Sequence, residues 1–139
     1  MLQVTADSNI YVSALQFGGP PRDFIQLAQS NAIHLTISDD IINEVTRVLR
    51  DKFGWSQDAL SLFRERVGDF TERVTPTERL DIIKEDPSDN AILECAVAGK
   101  SEYLVTRDKH LLRLGTFGGI KMTLVADFLE GFRTQGQGR

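Results

Sequence analysis

Ile33-His34-Leu35-Thr36-Ile37-Ser38-Asp39-Asp40-Ile41-Ile42-Asn43-Glu44-Val45-Thr46-Arg47-Val48-Leu49 holds a strand, a helix cap and a helix in direct succession. The run Ile33 to Ile37 has the apolar, β-branched character of a strand. Ser38 then stands as N-cap, and Asp39 and Asp40 occupy the first turn, where the helix dipole favours negative charge. Ile41, Ile42, Val45, Val48 and Leu49 fall at i, i+1, i+4, i+7 and i+8, one apolar stripe for burial. Glu44 sits at the border of that stripe, where a carboxylate can reach the rim of a cleft.

The same alternation continues on both sides. Upstream, Leu2, Val4 and Ala6 alternate with Gln3 and Thr5 as a strand that breaks at Asp7-Ser8-Asn9. A short helix follows on Ile10, Val12, Ala14 and Leu15. Gly18-Gly19-Pro20-Pro21 interrupts it before a second helix carrying Phe24, Ile25, Leu27 and Ala28. Downstream, Gly54-Trp55-Ser56 ends the central helix, and Ala59, Leu60, Leu62, Phe63, Val67 and Phe70 mark another. A short strand is expected near Glu72 to Thr75. Asp86-Pro87 opens a helix that is apolar on nearly all sides from Ala91 to Ala98, and Gly99 closes it. Tyr103 to Thr106 and Ile120 to Val125 are the remaining strands, followed by a terminal helix on Phe128, Leu129 and Phe132. Strands alternating with helices throughout predict an α/β fold, a three-layer α/β/α sandwich around a central parallel sheet.

The length, 139 residues, suits one domain, expected over residues 1–133, with a frayed tail at 134–139. No apolar run approaches the roughly 20 residues that span a bilayer. The amino-terminal residues lack the pattern of a secretory signal, and the single Cys95 fits a reducing compartment, so a cytoplasmic location is expected. Cys95, within an apolar helix, is expected to be buried and inert. The net charge of −4 argues against a protein that grips nucleic acid through a broad basic surface. A polyanionic substrate would need local help, such as bound divalent cations.

In open α/β sheets, functional groups gather beyond the carboxyl ends of the strands. Asp7 and Asp108 each follow a predicted strand, Asp89 lies in the first turn of the buried helix, and Glu44 is carried by the amphipathic one. Taken singly, each has an ordinary role: Asp7 and Asp108 as turn or cap residues, Glu44 as a solvated helix residue, Asp86 as an N-cap with Asp89 at N3. Taken together, four carboxylates can converge at one end of the sheet. Carboxylates within about 4–6 Å of one another resist joint ionisation, and a divalent cation removes the conflict. Ligation by oxygen alone selects Mg²⁺ or Mn²⁺ over zinc, since Cys95, His34 and His110 have no metal-type spacing. Arg47, Arg50 and Lys52, with Arg107, Lys109 and Arg113, could line a rim that guides a phosphate backbone, although solvated charge is the ordinary role of most of them.

Asp7-Ser8-Asn9, the context Asn43-Glu44-Val45-Thr46-Arg47-Val48-Leu49, Asp86-Pro87-Ser88-Asp89-Asn90 followed by Ala96, and Val105-Thr106-Arg107-Asp108-Lys109-His110-Leu111-Leu112 together resemble the PIN-domain nucleases. Within that family the chain looks most like the PIN toxins of prokaryotic toxin–antitoxin pairs, the group that includes the VapC-type ribonucleases. The resemblance implies that Asp7, Glu44, Asp89 and Asp108 hold one or two Mg²⁺ or Mn²⁺ ions, with Asn9 and Thr106 orienting ligands or water. Asp86 is an alternative to Asp89, which is favoured because Ala96, seven residues on, matches the family spacing. The implied function is a metal-dependent endoribonuclease toxin acting on single-stranded RNA. The implied partners are a cognate antitoxin and a second copy of the chain, in a dimer or higher oligomer, with the apolar residues of 59–70 as candidate contacts. A housekeeping RNA-processing PIN nuclease and a non-catalytic PIN-fold binding protein are the alternatives. A phosphatase or response regulator would bring an Asp-x-Asp pair or the regulator acid pair, and neither is present.

Overall fold

Thr5, Thr36 and Ser101 meet at the centre of the molecule, where the Thr5 hydroxyl lies 2.8 Å from both the Thr36 and the Ser101 hydroxyls. All three are buried, and their mutual bonds satisfy polar groups that would otherwise be orphaned between helix and sheet. The computed structural model in which they are seen describes residues 1–137. Six strands run through it: β1 (Gln3–Ala6), β2 (His34–Ile37), β3 (Glu72–Arg73), β4 (Tyr103–Val105), β5 (Thr116–Phe117) and β6 (Ile120–Thr123). Seven helices connect or flank them: α1 (Ser8–Gln16), α2 (Gly19–Gln29), α3 (Asp39–Phe53), α4 (Gln57–Val67), α5 (Asp89–Ala98), α6 (Lys109–Leu112) and α7 (Val125–Gln137). These bounds refer to the described residues.

The strand order is β3-β2-β1-β4-β6-β5, parallel throughout except for the β5–β6 hairpin. The chain moves outward from β1 to β2 and β3, then returns to β1's other side with β4. The direction of winding therefore reverses between β1 and β4, and loops leaving two neighbouring strands diverge there to open a crevice. The expected α/β sandwich is the observed fold. Ser38 caps α3 by accepting from the Ile41 amide, and Ile41, Ile42, Val45, Val48 and Leu49 are all buried.

The structure adjusts several boundaries. The helix expected to open at Asp86-Pro87 begins only at Asp89, because Asp86 accepts from the Ser88 amide and hydroxyl and closes a turn instead of capping a helix. The last strand ends at Thr123, and α7 starts at Val125. α7 runs to Gln137, through the start of the stretch expected to fray, and residues 138 and 139 lie outside the described residues. The helix α6 and the strand β5 are absent from the sequence reading. β5 joins β6 through Gly118 and Gly119, both at positive φ, as a tight two-residue hairpin turn requires.

Close packing leaves one glycine no room for a side chain. A Cβ on Gly99, just after α5, would lie 2.6 Å from the Thr36 hydroxyl, so this helix end sits directly on β2. Cys95 is buried on the same helix, and burial pushes its thiol up to about 11, as expected of an inert core cysteine. Between β3 and α5 the chain crosses residues 74–88 without a helix or strand. This strap is pinned by two polar side chains of α5. The Asn90 side-chain oxygen accepts from the Ile82 and Ile83 amides, both at 2.9 Å, while Glu94 accepts from the Leu80 amide at 2.8 Å and from Arg79 at 3.2 Å. Glu94 is a buried acid inside the stretch whose sequence reads as apolar.

Candidate functional site

β1 and β4 are paired through Ala6 and Val105, and the Asp7 amide extends the ladder by donating to the Val105 carbonyl at 2.9 Å. The chain then turns into α1 with Asp7 as its N-cap. One Asp7 oxygen accepts from the Asn9 amide and the Ser8 hydroxyl, each at 3.2 Å, and the other accepts from the Thr106 hydroxyl at 2.7 Å. Burial is the largest influence on this carboxyl and raises its pKa. The three hydrogen bonds pull in the opposite direction, and the charge of Asp108 adds to the rise.

Asp108 plays the matching part after β4. It caps α6, accepting from the His110 amide at 2.7 Å, and its own amide donates to the Thr106 hydroxyl at 3.0 Å. A single buried hydroxyl therefore links the two acids that leave the two central strands.

Asp89 stands at the first position of α5 and is 6% exposed, and one of its carboxylate oxygens is buried with no hydrogen-bond partner. An orphaned carboxylate oxygen is costly. Its pKa is pushed up to about 8, first by burial and then by repulsion from Asp108, Asp86 and Asp7. Asp86, Asp89 and Asp108 each bring one oxygen to a group whose members all lie within 4.8 Å of one another. Three acids converging around an unpartnered oxygen, without a basic side chain among them, fit a hard divalent cation: all the donors are oxygens, and a cation relieves both the repulsion and the desolvation.

The cavity here measures about 360 Å³, and Asp7, Asn9, Glu44, Asp86, Asp89 and Asp108 all contribute to its wall. The expected acids thus share one cavity but not one cluster. Glu44 faces the cavity while Arg47 holds it by two bonds, 2.8 and 3.2 Å long. Asp7 lies beside the three-oxygen group, bonded to Thr106. Asp86 and Asp89, alternatives in the sequence, both belong to the group. Asp40 is a wall residue that the sequence reading assigned only to the first turn of α3. Its spacing of four from Glu44 places both on one helix face, a signal that was open to reading. Ser88, which in the sequence is only a member of the Asp86–Asn90 motif, fixes Asp86 through its amide and hydroxyl. A second cavity of about 390 Å³, between α1, α2 and α4, is lined mainly by apolar side chains and has no acidic cluster.

Known proteins align with this arrangement. Residues 3–110 match the family model described as PIN domain. Among solved structures, the chain is similar to the PIN domain of T. brucei RRP44, with a TM-score of 0.54 at 17% identity, covering 98% of this chain and 83% of that one. That likeness is one of fold. No curated protein matches the chain. PIN domains are typically metal-dependent nucleases, and no helix among the described residues is long and apolar enough to cross a membrane. With acids placed after both central strands and the family match spanning β1 to the start of α6, the chain belongs to the PIN domain family.

Proposed function

We propose that the protein is an Mg²⁺- or Mn²⁺-dependent endoribonuclease that hydrolyses single-stranded RNA and serves as the toxin of a toxin–antitoxin pair. The observation that carries the nuclease reading is the unpartnered Asp89 oxygen among converging carboxylates at the β1–β4 crevice. Asp89, Asp108 and Asp86 would hold the ion, with Asp7 and Glu44 completing its surroundings. Bound there, the ion supplies charge compensation for a phosphodiester under attack and acidifies water. Thr106 holds Asp7 and the start of α6 in fixed relation, Ser88 holds Asp86, and Asn9 borders the cavity beside Asp7. Release of Glu44 from Arg47 would add a further oxygen and free a guanidinium for substrate phosphate.

Purified protein incubated with single-stranded RNA or DNA in Mg²⁺, Mn²⁺ or EDTA, beside Asp7→Asn, tests this reading. Cleavage that requires metal and is lost in the variant upholds it, and undiminished cleavage by the variant refutes it. The toxin role rests on the motif contexts around Asp7, Glu44, Asp89 and Asp108, and expression alone in a bacterial cytoplasm is expected to arrest growth. Unimpaired growth with active enzyme would mark a housekeeping RNA-processing nuclease instead. A cognate antitoxin and self-association complete the proposal. Leu60, Phe63 and Val67 are buried in the core and Ala59 is half-buried, which leaves Leu62, 49% exposed, as the apolar side chain of α4 most open to a partner. Light scattering that finds a monomer at high protein concentration would remove the self-association.

A further inference from the structure

Six cations flank the acidic cavity in sequence, and the structure divides them. Arg47 is bound to Glu44 at 2.8 Å, Arg50 to Asp51 at 2.8 Å, and Arg113 to Glu85 at 3.4 Å. Lys52, Arg107 and Lys109 are exposed and have no carboxylate partner among the described residues. These three, and only these among the six, line a cavity of about 470 Å³ that shares Asn9 and Asp108 with the acidic one. In a chain with a net charge of −4, three unneutralised cations along one groove make a local attractor for anions. Arg107 is also fixed in direction, because its guanidinium donates to the Ser13 hydroxyl.

The groove has an aromatic wall. Phe17, at the end of α1, is 73% exposed, an unusual setting for a phenyl ring in a folded domain. It is nonetheless held, packing edge-to-face on Phe53 with ring centroids 5.7 Å apart, and both rings line the same groove. A fixed, solvent-facing ring beside a row of cations is the pairing that takes up a base and its phosphates together. Bases inside a duplex are stacked on one another and unavailable to such a ring, so the chemistry selects a single strand.

We infer that the groove formed by Phe17, Phe53, Lys52, Arg107 and Lys109 is the track by which a single-stranded nucleic acid reaches the acidic centre, a base stacking on Phe17 and its neighbouring phosphates lying on the three cations. The inference deepens the nuclease reading and rests on it for the destination of the strand. The two cavities have Asn9 and Asp108 in common in their walls, so a strand lying in the cationic groove ends beside the acidic site.

Anisotropy of a labelled oligouridine of about eight nucleotides, a length typical of single-strand sites, tests the groove with the full chain in EDTA, where cleavage is blocked. Phe17→Ala is expected to weaken binding about tenfold, and Phe17→Trp to retain it. Lys52→Gln and Lys109→Gln are each expected to lower the slope of log affinity against log salt by roughly 0.7. Arg50→Gln, outside the groove, changes neither. Unaltered binding by Phe17→Ala overturns the proposal. So does equal affinity for a polyglutamate peptide of the same length, which would make the groove a seat for an acidic protein segment. Parallel cleavage assays in Mn²⁺ separate this inference from the one beneath it. Metal-dependent cleavage with no effect of Phe17→Ala on binding or rate overturns the groove and leaves the nuclease. Binding that depends on Phe17 without any cleavage upholds the groove and removes the nuclease.

Discussion

The Thr106 hydroxyl donates to Asp7 at 2.7 Å across the β1–β4 boundary, and it does so while accepting from the Asp108 amide at 3.0 Å. Thr106→Val keeps the shape and removes both bonds, leaving a buried carboxylate oxygen and an amide short of a partner. The expected cost in stability is about 1–3 kcal/mol. Loss of a bond that lowers the Asp7 pKa lets that pKa climb further, so more of the carboxyl is protonated at neutral pH. Metal affinity should fall by roughly 10–100-fold, and the acid limb of the activity profile should move to higher pH. Thr106→Ser, which retains the hydroxyl, should restore both. Metal titrations followed by thermal shift decide the matter, and equal behaviour of the Val and Ser variants would show the bond to be unimportant.

The raised carboxyls fix the direction of the pH dependence of the metal-free protein. Asp89, pushed up to about 8, and Asp7, also raised, keep protons in the folded state at pH values where the unfolded chain has lost them. The folded state binds more protons across this window, so stability is fully present below the ordinary carboxylate range and is lost as pH rises toward about 8. In EDTA the Tm should fall between about pH 5 and about pH 8, where other carboxylates are already ionised. Mn²⁺ should abolish that fall, since an ion that binds only the folded state stabilises it by mass action. A Tm in EDTA that does not change with pH would contradict the assignment of Asp89.

Asp86 and Asp89 should separate by the sign of their effects. Asp89→Asn removes a buried charge crowded by Asp108, Asp86 and Asp7, so the metal-free variant should be more stable than the parent at pH 8 while losing its thermal response to metal. Asp86→Asn leaves an oxygen able to accept from the Ser88 amide, and its metal-free Tm should stay near that of the parent. Both should lose cleavage. Thermal melts with and without Mn²⁺ read the two signs directly, and destabilisation of the metal-free protein by Asp89→Asn would count against the crowding.

Much of this site could be read before the structure, for a physical reason: strand ends and helix caps are local events. Asp7 and Asp108 stand where periodicity of two stops, and Glu44 stands beside an apolar stripe, so each was placed by its immediate neighbours. Asp86-Pro87 misled for the same reason. It has the look of a cap followed by N1, yet the Asp86 oxygen is taken by Ser88, two residues on, and α5 begins three residues later. The β5 strand, Thr116 and Phe117, is too short to show alternation, although the Gly118-Gly119 turn after it was a usable sign. Nor could spacing distinguish Lys52 from Arg50, since their difference is that Arg50 meets the Asp51 carboxylate while Lys52 meets none among the described residues. The strap of residues 74–88 shows no periodicity because its order comes from side chains outside it.

That dependence makes Asn90 the residue on which the strap is expected to turn. Its side chain accepts from the Ile82 and Ile83 amides and donates to the Ile83 and Pro87 carbonyls, four bonds within 3.1 Å. Asn90→Ala leaves the helix intact by propensity but strands these backbone groups next to α5. The strap should then open to solvent, and Asp86, which it carries to the acidic group, should lose its fixed position. Limited proteolysis should cut the variant within residues 74–88 under conditions that leave the parent whole. Metal affinity should fall with it, while the oligonucleotide affinity measured in EDTA, which depends on the Phe17 groove, to whose wall the strap contributes no residue, should not. Asn90→Asp preserves the acceptor for the two amides but places a like charge near Asp89 and loses both donors, so it should rescue the strap only in part. An Asn90→Ala variant that resists protease and binds metal like the parent would show that the strap is held by its apolar contacts, with buried Ile83 as the main anchor.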